Sequence, residues 1–158
     1  MMPILLPGDV VLVHGHDFVD DAIEFVTHSK YSHVALAVNG NTLIEAQGGR
    51  VVGYQPASAY SGQADVFRTQ LAPDVLARVV AKAESYRGEH YDDELIVVEL
   101  VRYATGINLP CEELHKLICS TLVGDAFRGE GYDPCLGIRF PSPADEAKST
   151  LWRHSFSY

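Results

Sequence analysis

The spacing of apolar positions along this chain changes near residue 73, and the change separates the strands from most of the helices. Val10 to Val13 is a short apolar run behind the turn-forming Pro7-Gly8-Asp9, and His14-Gly15-His16 ends it. His33 to Val38 and Leu43 to Ala46 are two further strand-like runs. Asn39-Gly40-Asn41 joins them with residues that tolerate the positive φ of a tight hairpin. Val51 to Tyr54 and Ala64 to Arg68 extend the series, with a loop over 56–62 between them. One helix interrupts it. Asp17 is a suitable N-cap, and Phe18, Val19, Ala22, Ile23, Phe25 and Val26 recur at helical spacing up to His28.

Beyond Ala72-Pro73-Asp74, Val75, Leu76, Val79, Val80 and Ala83 share one helical face that ends before Gly88. Tyr91-Asp92-Asp93 leads into an apolar helix over Glu94 to Ala104, closed by Thr105-Gly106. Another helical stretch carries Cys119 and ends at Gly129 or Gly131. The tail from Pro134 is Pro-rich, with one last helical turn after Pro141-Ser142-Pro143-Ala144-Asp145. Strands first and helices after predict an α+β fold over alternating βαβ units. No linker divides the 158 residues, so 1–158 is read as one domain.

Composition narrows the function by exclusion. Twelve basic against 21 acidic residues give a formal charge of −9, which argues against nucleic acid as the main partner. Residues 1–7 are too short and lack the basic residues of a signal peptide, and no apolar run is long enough to span a membrane. The expected location is therefore a reducing cytoplasm, with exit by lysis or a dedicated apparatus still open. Cys111, Cys119 and Cys135 form no CxxC pair and are odd in number, so neither a disulfide framework nor zinc is expected. His14 and His16 are spaced to share a strand face as metal ligands do, but no third ligand follows at suitable spacing. No metal or organic cofactor is expected.

Chemistry concentrates in three places. Cys119 lies in Leu117-Ile118-Cys119-Ser120-Thr121-Leu122-Val123, between an apolar approach and a helical run. His33 opens a strand, and Glu45 lies on the strand that returns past it, close to His33 across the hairpin. A thiol, an imidazole and a carboxylate that meet in space make a nucleophile, a base and an orienting group. A free thiol titrates near ~8.5, and a helix N-terminus or an imidazolium stabilises its anion. Each residue also has an ordinary role open to it: cysteine packs in cores, histidine ends loops, and glutamate faces solvent. Residues 112–127 have two readings as well. One continuous helix would bury Cys119 in its middle, whereas catalysis requires a break near Leu117 or Ile118. Val34, Leu36 and Val38 fall on one strand face and His33, Ala35 and Ala37 on the other, where small side chains would leave room for the Cys119 helix. Ser120 and Thr121 have no GxSxG context, and Gly48-Gly49 is a bend with no phosphate-loop lysine after it.

Pro-Gly-Asp-Val-Val-Leu, Tyr-Ser-His-Val-Ala-Leu, Leu-Ile-Glu-Ala, Tyr-Asp, Ile-Cys-Ser-Thr-Leu-Val and Pro-Ser-Pro-Ala-Asp follow one another in that order. With this series the chain resembles the circularly permuted papain-fold hydrolases. These are the YiiX/YebB-like branch of the NlpC superfamily, with lecithin–retinol acyltransferase as a more distant relative. The resemblance covers about residues 7 to 150. It implies an antiparallel sheet of about five or six strands packed against helices, one of which carries the cysteine. Carried over by position, Cys119 is the nucleophile, His33 the general base and Glu45 the orienting residue. Tyr91 borders the site and assists an oxyanion, and Tyr31 and His14 are further substrate-side or oxyanion residues. The implied activity is cleavage of an amide in a small peptide or cell-wall fragment through an acyl-enzyme, without a cofactor. Two alternatives stay open: a lipid acyltransferase or thioesterase using the same three residues, and a silent binding module on the same fold. Substrate identity and oligomeric state are beyond the sequence.

Overall fold

The computed structural model describes residues 4–15, 29–46, 50–90, 105–106, 118–138 and 141–158. Six antiparallel strands form one sheet: β1 (Val10–His14), β2 (Tyr31–Ala37), β3 (Thr42–Glu45), β4 (Gly53–Pro56), β5 (Ala64–Thr69) and β6 (Trp152–Ser157). Their order across the sheet is β4-β3-β2-β1-β5-β6. Three α-helices are described: α1 (Pro73–Glu84), α2 (Cys119–Arg128) and α3 (Pro143–Ala147). The α+β architecture follows the chain order of the apolar patterns. The helices expected over 18–26 and 94–104 lie outside the described residues.

The central strands are buried on both faces, which explains why β1 is a continuous apolar run and not an alternating one. One face carries Val10, Leu12, Val34, Leu36 and Ile44 under the apolar stripes of α1 and α2. The opposite face carries Val11, Val13, Ala35, Ala37 and Leu43, closed over by Leu5, Ala57 and Tyr60. The alanine face of β2 is therefore not where the cysteine helix docks. The larger Val34 and Leu36 side chains offer α2 more apolar area, and a short 3-10 turn, Ala57–Tyr60, fills the shallow side.

Several local details differ from expectation: β2 begins at Tyr31, so that His33 is its third residue, and α3 begins at Pro143, inside the stretch expected as loop. The fourth strand starts at Gly53 and runs to Pro56, so the expected loop from residue 56 begins with a strand end. The C-terminal residues form β6, a strand the sequence pattern did not announce. Its exposed Arg153, His154 and Ser155 make it an edge strand held mainly by backbone pairing to β5.

Candidate active site

Cys119 is the first residue of α2. The residue before it, Ile118, is extended at φ −114° and ψ 172°, so the helix begins at the cysteine. Of the two readings of 112–127, this is the one with a break at Ile118. The break is secured locally. Thr121 Oγ1 accepts from Ile118 N at 2.9 Å and donates to Ile118 O at 3.1 Å. The Ser120 hydroxyl donates to the Pro141 carbonyl. Both hydroxyls are buried and committed to the backbone, so Ser120 and Thr121 serve the turn that presents the thiol. Cys119 is 5% exposed, and its own N–H is one of the orphan donors of the helix N-terminus.

His33 and Glu45 meet on the sheet. Strand pairing between β2 and β3 is made at Leu36↔Ile44 and Ala37↔Leu43 and stops there. Continuing that register, Glu45 faces Ala35, and His33 is its diagonal neighbour on the same face. His33 Nε2 lies 2.9 Å from Glu45 Oε2. The Tyr60 hydroxyl donates to the same oxygen at 2.6 Å, and its ring centroid is 5.9 Å from that of His33. Cys119 is within hydrogen-bonding reach of His33. The three residues named from the sequence thus converge, and His33 sits between the other two.

The electrostatics favour the charged forms of both His33 and Glu45. Burial works against a charged His33, but the charge of Cys119, the hydrogen bond to it and the contact with Glu45 outweigh that and raise its pKa to about 10. Burial likewise opposes the charge of Glu45. The His33 and Tyr60 hydrogen bonds and the nearby Arg50 guanidinium overcome it and hold the carboxyl below its usual range. Tyr60 is pushed well up, by burial first and by the Glu45 charge second, so it remains a donor. Tyr60 was missed from sequence because it ends a short 3-10 turn 15 residues from Glu45, in a stretch that reads as loop with no motif around it.

Tyr31 and His14 gather elsewhere, at Asp65 on β5. Tyr31 donates to Asp65 Oδ2 at 2.7 Å, His14 Nε2 lies 3.2 Å from the same oxygen, and Lys30 Nζ 2.6 Å from it. Ser157 donates to Oδ1 at 2.6 Å, and His154 Nε2 is 3.5 Å from it. One carboxylate therefore ties β1, β2, β5 and β6 together at one end of the sheet. Burial opposes the charge of Asp65, but these donors, Lys30 foremost, hold it far below the usual carboxylate range. Tyr91, His16 and Cys111 lie outside the described residues.

Glu146 on α3 is another buried carboxyl, fully enclosed, with no hydrogen bond to either oxygen among the described residues and with Arg128, Cys119, Asp145 and Cys135 around it. Burial drives its pKa far up against the pull of Arg128.

No family model and no curated protein matches this sequence. Among solved structures the chain is similar to metalloprotein yiiX from Escherichia coli O157:H7, with a TM-score of 0.61, 20% sequence identity and 97% of each chain covered. The fold is that of YiiX. At this identity the likeness to YiiX extends to the fold alone, and the word metalloprotein describes that protein. Among the described residues here, no group of three or more His, Cys, Asp or Glu side chains is placed to hold a metal ion. The imidazole of His33 is bonded to Glu45, and at Asp65 the Lys30 ammonium already occupies the carboxylate. Among the described residues, no helix is long and apolar enough to cross a membrane.

Proposed function

We propose that this protein is a cysteine hydrolase that cleaves a peptide-type amide through an acyl-enzyme, with Cys119 as nucleophile, His33 as general base and acid, and Glu45 as the orienting carboxylate. The observation that carries the reading is the continuous chain from Cys119 through His33 to Glu45, with the thiol on the first residue of a helix. Helix N-terminus and imidazolium both favour a thiolate. With Nε2 turned to Glu45, Nδ1 is the ring nitrogen left for the sulfur.

In the first step the Cys119 thiolate attacks the carbonyl carbon and the C–N bond breaks. His33 passes its proton to the leaving amine, and the acyl group stays on sulfur as a thioester. In the second step His33 takes a proton from water, hydroxide attacks the thioester, and the thiolate is restored as His33 regains its charge. The backbone N–H of Cys119 is directed to the developing oxyanion. Peptides and cell-wall fragments are the proposed substrates.

Alkylation with iodoacetamide near neutral pH tests the reading. Cys119 is expected to react faster than Cys135 and Cys111 despite its burial, and replacing His33 by alanine is expected to remove the advantage. Equal rates at the three cysteines would leave a binding module on this fold. Turnover of fatty-acyl thioesters or lipids, and not of peptide amides, would shift the assignment to lipid acyl chemistry.

A further inference from the structure

Ser32 carries a buried hydroxyl that the resting protein does not use. The residue is 5% exposed, and its Oγ has no hydrogen-bond partner among the described residues. A buried hydroxyl without a partner is less stable than an alanine in the same place, so its presence calls for a reason. The neighbouring hydroxyls differ from it in being committed. Ser120 donates to the Pro141 carbonyl, Thr121 to the Ile118 carbonyl and Tyr60 to Glu45.

Ser32 stands directly before His33. Val13 is opposite His33 and His14 opposite Tyr31, so Ser32 is the extra residue of a bulge in β2. Bulges re-aim side chains and gather beside active sites. Tyr31 and Val34 both belong to the core on the helix side of the sheet. Alternation back from Val34 puts Ser32 on that face as well. The same core includes Cys119, the first residue of α2, which is 5% exposed as Ser32 is. On the flank towards β3 the strand pairing has already ended, at Leu36↔Ile44. Ser32 thus adjoins the base in the chain and shares a face with the helix that carries the nucleophile.

We propose that Ser32 is a catalytic residue whose hydroxyl donates a hydrogen bond to the substrate carbonyl oxygen as the Cys119 sulfur adds to the carbon. This rests on the hydrolase reading and names a second donor beside the Cys119 N–H. As the S–C bond forms, the carbonyl π pair moves onto oxygen, and the hydroxyl keeps its proton while it stabilises that charge. When the pair returns, the C–N bond breaks and the hydroxyl is released. A donor that is unpaired at rest and is met only where charge develops favours the transition state over the ground state.

The test compares two reagents at one sulfur. Acetylation of Cys119 by p-nitrophenyl acetate passes through an oxyanion, whereas iodoacetamide loses iodide from a saturated carbon and forms none. Ser32→Ala is expected to slow acetylation by about 100-fold, the usual effect of losing one oxyanion donor, and to leave alkylation unchanged. Its unfolding midpoint in urea is expected to be no lower than that of the wild-type protein, because an unpaired hydroxyl has been removed. Equal losses in the two reactions would make Ser32 a support for His33 and overturn the proposal. So would acetylation that Ser32→Ala leaves unchanged, or acetylation of wild-type Cys119 no faster than that of Cys135. A lowered midpoint would reveal a structural partner for the hydroxyl and overturn it too. Ser32-dependent acetylation of Cys119 with no later release of acetate would keep the donor and sink the hydrolase reading.

Discussion

His33 Nε2 stands 2.9 Å from Glu45 Oε2, although the strand register sets Glu45 across from Ala35. The contact is diagonal, a separation that long side chains on one face can bridge. Glu45→Gln keeps the length of the side chain and removes its charge. A hydrogen bond to a charged group contributes about 1.5–3 kcal/mol, so turnover is expected to fall roughly 10- to 100-fold. Cys119→Ala and His33→Ala are expected to abolish turnover while circular dichroism stays native. Steady-state kinetics on the three variants check this, and full activity in the Cys119→Ala protein refutes the assignment.

Tyr60 donates to the same Glu45 oxygen that meets His33. Tyr60→Phe leaves the ring beside His33 and deletes only the donor. Glu45 then ionises less readily, because one of the hydrogen bonds lowering its pKa is gone. The acid limb of the kcat/KM profile is expected to move to higher pH. A uniform loss of rate with an unmoved limb would make Tyr60 a packing residue only.

The pH dependence has a definite sign at His33. Its pKa rises from 6.5 to about 10 on folding, so the stabilisation from its pairing is complete below pH 6.5 and is lost as pH rises towards 10. The alkaline limb of kcat/KM is accordingly expected near pH 10, where His33 loses the proton it delivers to the leaving group. A limb near 6.5 would mean that His33 is neutral in the resting protein.

Asp65 joins four strands through Lys30, Tyr31, His14, Ser157 and His154. Asp65→Asn removes the charge that Lys30 meets at 2.6 Å; because Lys30 is largely exposed, the ion pair itself contributes at most about 1 kcal/mol, and a modest loss of stability is expected. The Asp65 pKa is depressed in the folded state, so its contribution is present above the ordinary value of 3.8 and fades as pH falls below it. Urea unfolding at pH 7 and pH 3 should show the wild-type advantage shrinking at the lower pH.

Glu146 is fully buried, and among the described residues neither of its oxygens has a hydrogen-bond partner. A buried group of this kind costs about 1–3 kcal/mol, and Glu146→Met of similar volume is expected to recover part of it. The raised pKa also makes wild-type stability decline as pH climbs above 4.5, because the unfolded carboxyl ionises first. Unfolding midpoints across pH 4 to 8 should fall more gently in the variant. A midpoint lowered at every pH would show that Glu146 has a partner which methionine cannot replace.

Five of the six strands and all three described helices were legible as periodicity, since alternation and the 3.6-residue stripe are local properties of the chain. Cys119 and Glu45 were legible by residue type and by their placement at element ends, and His33 by residue type, although it is the third residue of β2 and not its first. The side of the sheet on which α2 docks was not, because pattern identifies two apolar faces and volume decides between them. Strand β6 escaped because an exposed edge strand has little apolar signature, and its backbone pairing comes from β5, more than 80 residues earlier.

The amino-acid sequence by itself determined the order of strands and helices, the acidic charge and the three side chains able to do nucleophilic chemistry. Only the tertiary structure decided that α2 begins at the thiol, that Glu45 reaches His33 diagonally with Tyr60 on the same oxygen, and that Asp65 collects partners as far as 92 residues away. The reason is physical. Periodicity and capping act over a few residues, whereas a hydrogen bond between distant side chains exists only after strand register and sheet face have been chosen.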